Sequence, residues 1–174
     1  MVFLSVAVAV LTALVLIDLV LTGAVIRRLR DTEKQIVEMN TPPDTGMAPG
    51  ETLPEFTAPD GGLSRADLAG KRSLVAFFSA GCRHCPAQAE RLAERADEIA
   101  GRGITVVSVL GVSEDAGEEL APLLRKAGSL IVEKGFGDVA AAFRTTSTPT
   151  LLVFGEDGVL VANGHSLDEV LGGE

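Results

Sequence analysis

The sequence contains no tryptophan and no tyrosine, so its seven phenylalanines are its only aromatic residues. Because 47% of the 174 residues are apolar, the hydrophobic core has to be built mainly from Ala, Val and Leu. Basic residues are scarce as well, and the net charge is −9. Such a surface repels phosphate groups, which argues against a nucleic-acid partner. The length suffices for one compact domain with an appendage.

Metal-binding side chains are also few, because the chain has only two cysteines and two histidines. A structural zinc site needs four ligands. Cys82 and Cys85 form a single pair, and His84 and His165 are far apart in sequence. We therefore predict no metal site, and we interpret His165 as a surface or hairpin-end residue.

One long apolar run is present, from residue 2 to residue 26. A helix of that length measures roughly 37 Å, so it can cross a bilayer core of about 30 Å with some tilt. A cleaved signal peptide is the alternative, but the run is too long, lacks a preceding basic region and has no small-residue cleavage site. We predict a transmembrane helix at residues 1–26.

Residues 27–50 are predicted to form a polar stalk and then a flexible linker rich in Pro and Gly. Basic residues at 27, 28, 30 and 34 follow the apolar run, and the tendency of such residues to stay inside would leave the following domain in the cytoplasm. On this evidence alone, the domain would be cytoplasmic.

Residues 51–174 alternate between strand-like apolar runs and helical periodicity. The predicted strands are residues 73–78, 104–110, 129–132, 150–154 and 159–162; the predicted helices are residues 82–100, 117–127, 137–143 and 166–171. Strand–helix–strand crossovers followed by an antiparallel hairpin and a last helix predict an α/β domain, with a central mixed sheet and helices on both faces.

The cysteine pair comes directly after the first strong strand and begins the first long helix. With two residues between them, Cys82 and Cys85 can close a small disulfide loop and reopen it. A thiolate at a helix N-terminus is favoured by the unpaired backbone N–H groups and by the helix dipole. The sequence therefore indicates a redox site.

The Cys-x-x-Cys at a helix start, Thr148-Pro149-Thr150 before a strand, and the terminal hairpin resemble a thioredoxin fold. With the amino-terminal apolar run, the linker and Leu53-Pro54-Glu55-Phe56, the chain resembles the membrane-anchored TlpA/ResA-like and MauD-like bacterial thiol-disulfide oxidoreductases. The resemblance covers residues 51–174.

That resemblance implies a role for each matched residue. Cys82 would be the nucleophile and Cys85 the resolving thiol, with their disulfide as the only redox group and no further cofactor. Pro149 would be a cis-proline facing the pair, and Thr148 would offer its backbone to a bound peptide. The partners would be protein thiols and disulfides, which the enzyme would reduce, with a membrane electron donor restoring the dithiol.

Three positions depart from this pattern. Gly81 replaces the Trp that usually precedes the first cysteine. Ala76 and Gln88 stand where related proteins carry a buried acid, so the usual proton acceptor for the resolving thiol is missing from both places. Proton transfer would then fall to His84, to water or to the substrate.

Arg83 and His84, between the cysteines, are candidate tuning residues. A cation beside a thiolate stabilises the dithiol state and makes the disulfide a better oxidant. His84 in this position resembles DsbA-like proteins and protein disulfide isomerase, so a thiol oxidase or isomerase is the alternative to a reductase. Both side chains can also be ordinary polar residues on an exposed turn.

Other functions remain open. Ser79-x-x-Cys82 has the form of a peroxidatic motif, although Val75 replaces the expected Pro. An anchored binding module with a static disulfide is a third class, but such a short loop constrains little chain.

The substrate can be an apocytochrome, as in cytochrome c maturation, or another secreted protein. Because single-span relatives of this kind face outward, we expect the domain on the extracytoplasmic face of the cell membrane.

Overall fold

A computed structural model describes residues 46–113 and 119–172. The predicted transmembrane helix (1–26) and most of the predicted stalk and linker (27–45) lie outside the described residues, and so do residues 114–118 and the last two residues. Within the described ranges, no helix is both long enough and apolar enough to cross a membrane.

The described residues form short helices around five strands. In chain order the elements are α1 (Arg65–Leu68), β1 (Ser73–Ser79), α2 (Cys85–Glu94), α3 (Ala96–Gly101), β2 (Thr105–Val112), α4 (Ala121–Ala127), β3 (Ser129–Lys134), α5 (Asp138–Ala142), β4 (Thr150–Phe154), β5 (Leu160–Gly164) and α6 (Leu167–Leu171).

The five strands make one mixed sheet in the order β3-β2-β1-β4-β5. β1, β2 and β3 are parallel, whereas β4 is antiparallel to both β1 and β5. The predicted mixed sheet with a terminal hairpin is therefore confirmed. Parallel strands end at the same edge of a sheet, and the cysteine pair follows the end of β1 at that edge.

Helices cover both faces of the sheet, as predicted. The side chains of Leu74, Ala76 and Phe78 belong to a core shared with α2, α3, α4 and α6. Val75 and Phe77 belong to a second core shared with α1 and α5. Because β1 is buried on both faces, it has a continuous apolar sequence with no polar alternation.

Phenylalanines concentrate in the second core. The ring of Phe143 lies 5.3 Å from the rings of both Phe56 and Phe77 and 6.1 Å from that of Phe154, measured between centroids. Tilted and edge-on rings at these separations attract one another beyond their hydrophobic burial. This cluster supports the face of the sheet opposite α2.

Some predicted boundaries were wrong. The helix predicted at residues 82–100 begins only at Cys85 and is divided at Arg95, whose φ of −95° and ψ of 10° interrupt the helical backbone. β3 continues to Lys134, two residues beyond its predicted end. β4 has the bounds that the sequence predicts.

The last residues of the predicted linker pack against the sheet. Met47 is buried, and the side-chain amide of Asn163 donates to its carbonyl oxygen at 3.0 Å. The backbone N–H of Gly50 donates to the carbonyl oxygen of Leu160 at 2.8 Å. The contacts of Met47 and Gly50 thus lie before residue 51, where we predict that the domain begins. That boundary stays a prediction.

Candidate active site

A disulfide joins Cys82 and Cys85 in the turn between β1 and α2, with Cα atoms 5.4 Å apart. The backbone N–H of Cys82 donates to the carbonyl oxygen of Ser79, and that of Cys85 to the carbonyl oxygen of Cys82, each at 3.3 Å. Gly81 has a φ of +83°, in the left-handed region that glycine adopts most readily. A Cβ at this position would meet no atom within 4 Å apart from those of its two chain neighbours, so the space around residue 81 is open.

The two cysteines differ in exposure. Cys85 is the first residue of α2 and is completely buried, whereas Cys82 is only partly buried. Cys82 precedes the N-terminus of this ten-residue helix by three residues, on the side where the helix dipole favours negative charge. An attacking molecule can therefore reach only the sulfur of Cys82. The assignment of nucleophile and resolving thiol stays a prediction, and this geometry supports it.

The Pro149 turn (residues 147–150), which leads into β4, lies beside the disulfide. The peptide bond between Thr148 and Pro149 is cis. The carbonyl oxygen of Thr148 lies 3.3 Å from Cys82 Sγ. The hydroxyl groups of Thr148 and Ser79 are 2.7 Å apart, within hydrogen-bonding distance. The structure thus brings together the cysteine pair and the predicted peptide-binding residues, which are 66 residues apart in sequence.

Arg83 and His84 are exposed on the loop between the cysteines. Neither side chain forms a hydrogen bond or an ion pair with another residue of the described ranges. Both can therefore approach a bound partner or the sulfur of Cys82. Their tuning role stays a prediction.

Ala76 and Gln88 occupy the two positions at which related proteins were expected to carry an acid, and neither can accept the proton of Cys85. Ala76 is fully buried in β1 and has no titratable group. The side-chain oxygen of Gln88 accepts a hydrogen bond from the backbone N–H of Leu167 at 3.2 Å. Gln88 therefore connects α2 to α6 and does not take up a proton from Cys85.

His165 is exposed at the end of the hairpin, as predicted, but it also has a partner that the sequence did not indicate. It follows β5 directly, and its Nδ1 lies 2.8 Å from the carbonyl oxygen of Pro149. The pairing of Leu151 with Gly164 in the terminal hairpin accounts for this contact, because the residues just beyond that pair face each other. The register shifts by one residue between Val153 and Phe154, so counting from the turn at Gly158 would not have found this contact.

Among the residues that the structure describes, no group of three or more His, Cys, Asp or Glu side chains can hold a metal ion.

Solved structures define the class of the fold. One similar chain is the thioredoxin domain of a thiol-disulfide oxidoreductase from Bacteroides vulgatus, at 22% identity and a TM-score of 0.59, covering 71% of this chain and 92% of that one. Another is a putative thiol:disulfide interchange protein DsbE from Chlorobium tepidum, at 14% identity and a TM-score of 0.55, covering 68% and 86%. A thioredoxin-like protein in the oxidized form has 24% identity and a TM-score of 0.58, covering 69% and 87%. The predicted thioredoxin fold is confirmed.

The sequence also matches a protein family over more than half of its length. The family described as AhpC/TSA matches residues 49–163, so the chain belongs to the AhpC/TSA family. No curated protein matches the sequence. The predicted class, an enzyme of the thioredoxin-like thiol-disulfide oxidoreductases, agrees with this family and with the solved neighbours.

Proposed function

We propose that this protein is a membrane-tethered thiol-disulfide oxidoreductase of the TlpA/ResA-like type, which reduces disulfides of protein partners outside the cytoplasm. One observation carries the proposal: a disulfide with one buried and one accessible sulfur lies beside the Pro149 turn. The apolar run at residues 2–26 supports the tether. The outer location rests on the resemblance to the TlpA/ResA-like family alone, and the basic residues at 27, 28, 30 and 34 favour the opposite side.

The exchange moves two electrons in two steps. The Cys82 thiolate attacks one sulfur of the partner's disulfide, so that a mixed disulfide forms and the partner's other sulfur leaves as a thiolate. The Cys85 thiolate then attacks Cys82 Sγ, which releases the second partner thiolate and forms the Cys82–Cys85 disulfide. The partner is reduced and the enzyme is oxidised, so a dithiol donor, proposed to lie in the membrane, has to restore the enzyme.

An oxidase or isomerase is the second candidate, and the exposed Arg83 and His84 favour it. Positive charge beside Cys82 stabilises its thiolate, and a stabilised dithiol state makes the disulfide more oxidising. The midpoint potential of the pair separates the two directions. A potential near that of thioredoxin, about −270 mV, supports a reductase, and one near that of DsbA, about −120 mV, supports an oxidase.

Redox titration of the full chain against glutathione tests the proposed function. We expect a reversible two-electron transition between the disulfide and the dithiol, read from the mass of the alkylated protein. Consumption of peroxide at a steady rate, without exchange with protein disulfides, would instead indicate the peroxidase that Ser79-x-x-Cys82 and the AhpC/TSA family allow. A disulfide that stays closed over the whole glutathione range and also in excess dithiothreitol would contradict both and would favour a binding module. One that opens only in dithiothreitol would indicate a reductase that is more reducing than glutathione.

A further inference from the structure

The contact between His165 and the Pro149 turn fixes the position of one proton. A carbonyl oxygen only accepts hydrogen bonds, so Nδ1 of His165 has to carry the hydrogen that it shares with the Pro149 carbonyl, at 2.8 Å. In the neutral ring, Nε2 is then the unprotonated nitrogen. The histidine therefore acts on this turn as a hydrogen-bond donor.

The backbone around His165 is held from two sides. Its own N–H donates to Oε2 of Glu169 in α6 at 2.9 Å. Two residues later, the N–H of Leu167 donates to the side chain of Gln88 in α2, the helix that begins at Cys85. The imidazole thus projects from a fixed segment, so its hydrogen bond can restrain the position of the Pro149 carbonyl.

The restrained turn also contacts the accessible sulfur. Thr148 precedes Pro149, and its carbonyl oxygen lies 3.3 Å from Cys82 Sγ. An extended peptide that pairs with the backbone at Thr148 depends on the orientation of this peptide unit, because strand addition uses backbone hydrogen bonds. A small disulfide that reaches Cys82 without pairing to the backbone does not depend on it.

We propose that His165 is a positioning residue for peptide substrates, acting through its Nδ1–H on the carbonyl of Pro149. The inference rests on the proposed function, because it assigns a role in binding the substrate of that exchange. It predicts that His165 contributes to exchange with peptide disulfides and not to the intrinsic reactivity of Cys82.

The test compares two substrates on the reduced full chain in detergent: a disulfide-bonded peptide without regular structure, and hydroxyethyl disulfide. His165→Ala should lower kcat/KM for the peptide about fivefold, the effect of losing one neutral hydrogen bond, mainly through a higher KM. The rate with hydroxyethyl disulfide should stay unchanged. Equal losses with both substrates would indicate general damage to the site and would overturn the inference.

Two further variants distinguish the two nitrogens of the ring. The side-chain amide of Asn reaches about as far as Nδ1, whereas that of Gln reaches about as far as Nε2. His165→Asn should therefore restore most of the peptide rate, and His165→Gln should not. Restoration by Gln alone would show that Nε2 contacts the substrate, and it would overturn the role assigned to Nδ1.

The two substrates distinguish an error in the role of His165 from an error in the proposed function. If the wild-type protein exchanges with both substrates and His165→Ala is unchanged with the peptide, the positioning role is wrong and the function stands. If the wild-type protein exchanges with neither substrate, the function is wrong, and the positioning role is wrong with it. Nitrogen-15 spectra of the imidazole provide a direct check, because an unprotonated Nδ1 in the neutral ring would contradict the hydrogen bond.

Discussion

At the scale of single residues, the chemistry of the site depends on the different surroundings of two identical side chains. Burial leaves the Cys85 sulfur without access to a partner, while Cys82 lies partly exposed at the end of the turn. The Thr148 carbonyl beside Cys82 marks the place where a partner's backbone can pair. Exposure and the proposed site of backbone recognition thus coincide at one sulfur.

We predict that His84 raises the redox potential of the Cys82–Cys85 pair. Replacing it with Ala removes a donor and a potential positive charge beside Cys82, so the thiolate should lose stabilisation and the pair should become more reducing. We expect the midpoint potential in glutathione buffers to fall by on the order of 30 mV. The wild-type protein, titrated in the same glutathione buffers, serves as the reference. An unchanged potential in His84→Ala would contradict the tuning role.

Residues with a short-range signal were predictable, and residues that depend on long-range register were not. Cys82, Cys85 and Pro149 stand in local motifs, so their sequence neighbours were enough to select them. His165 has no such neighbours, because its partner Pro149 is 16 residues away and reaches it only through the hairpin. The positive φ of Gly81 likewise depends on how the chain leaves β1.

At the scale of secondary structure, strands were easier to predict than helix boundaries. β4 is bounded by the Pro149 turn and a glycine, and both signals are local. The break at Arg95 was not predictable from periodicity, because apolar residues recur on both sides of it. The Arg95 side chain donates to Glu98 in α3 and to Asp168 in α6, and its hydrogen bond lowers the pKa of the Glu98 carboxyl. Contacts between residues that are far apart in the sequence cannot be predicted from the periodicity of apolar residues.

Glu133 gives a prediction at this scale, because its buried carboxylate connects β3 to α5. Its two oxygens accept hydrogen bonds from the backbone N–H groups of Gly137, Val139 and Ala140, each at 3.1 Å. Glu133→Ala leaves these donors without their acceptor, and unsatisfied buried donors cost about 1–3 kcal/mol each. Two of the three donors, the N–H groups of Val139 and Ala140, are buried, so we expect the free energy of unfolding to fall by roughly 2–6 kcal/mol in urea titrations.

The matched control for that experiment is Glu156→Ala, which removes the same side chain from an exposed turn and should change the unfolding free energy by less than about 0.5 kcal/mol. Glu133→Gln keeps one acceptor oxygen, so its free energy of unfolding should lie between those of the two Ala variants. Equal stability of Glu133→Ala and Glu156→Ala would show that the three hydrogen bonds contribute nothing to the stability of the domain.

At the scale of the whole molecule, the main prediction is the side of the membrane on which the domain lies. The resemblance to single-span relatives predicts the outer face, whereas the basic residues at 27, 28, 30 and 34 favour the cytoplasm. Protease added to intact cells that produce the full chain should therefore digest the domain. Permeabilised cells provide the control for protease sensitivity. Digestion only after permeabilisation would contradict the outer location.

The measurement that tests the central claim most directly is the capture of partners by Cys85→Ser. This variant keeps the accessible nucleophile and lacks the thiol that resolves the mixed disulfide. We expect it to accumulate covalent complexes with partner proteins that dissociate on treatment with a reducing agent. Cys82→Ser should form none, because the remaining thiol is buried. Complexes that form equally in both variants, or a Cys85→Ser protein that turns over like wild type, would contradict the assigned roles of the two cysteines.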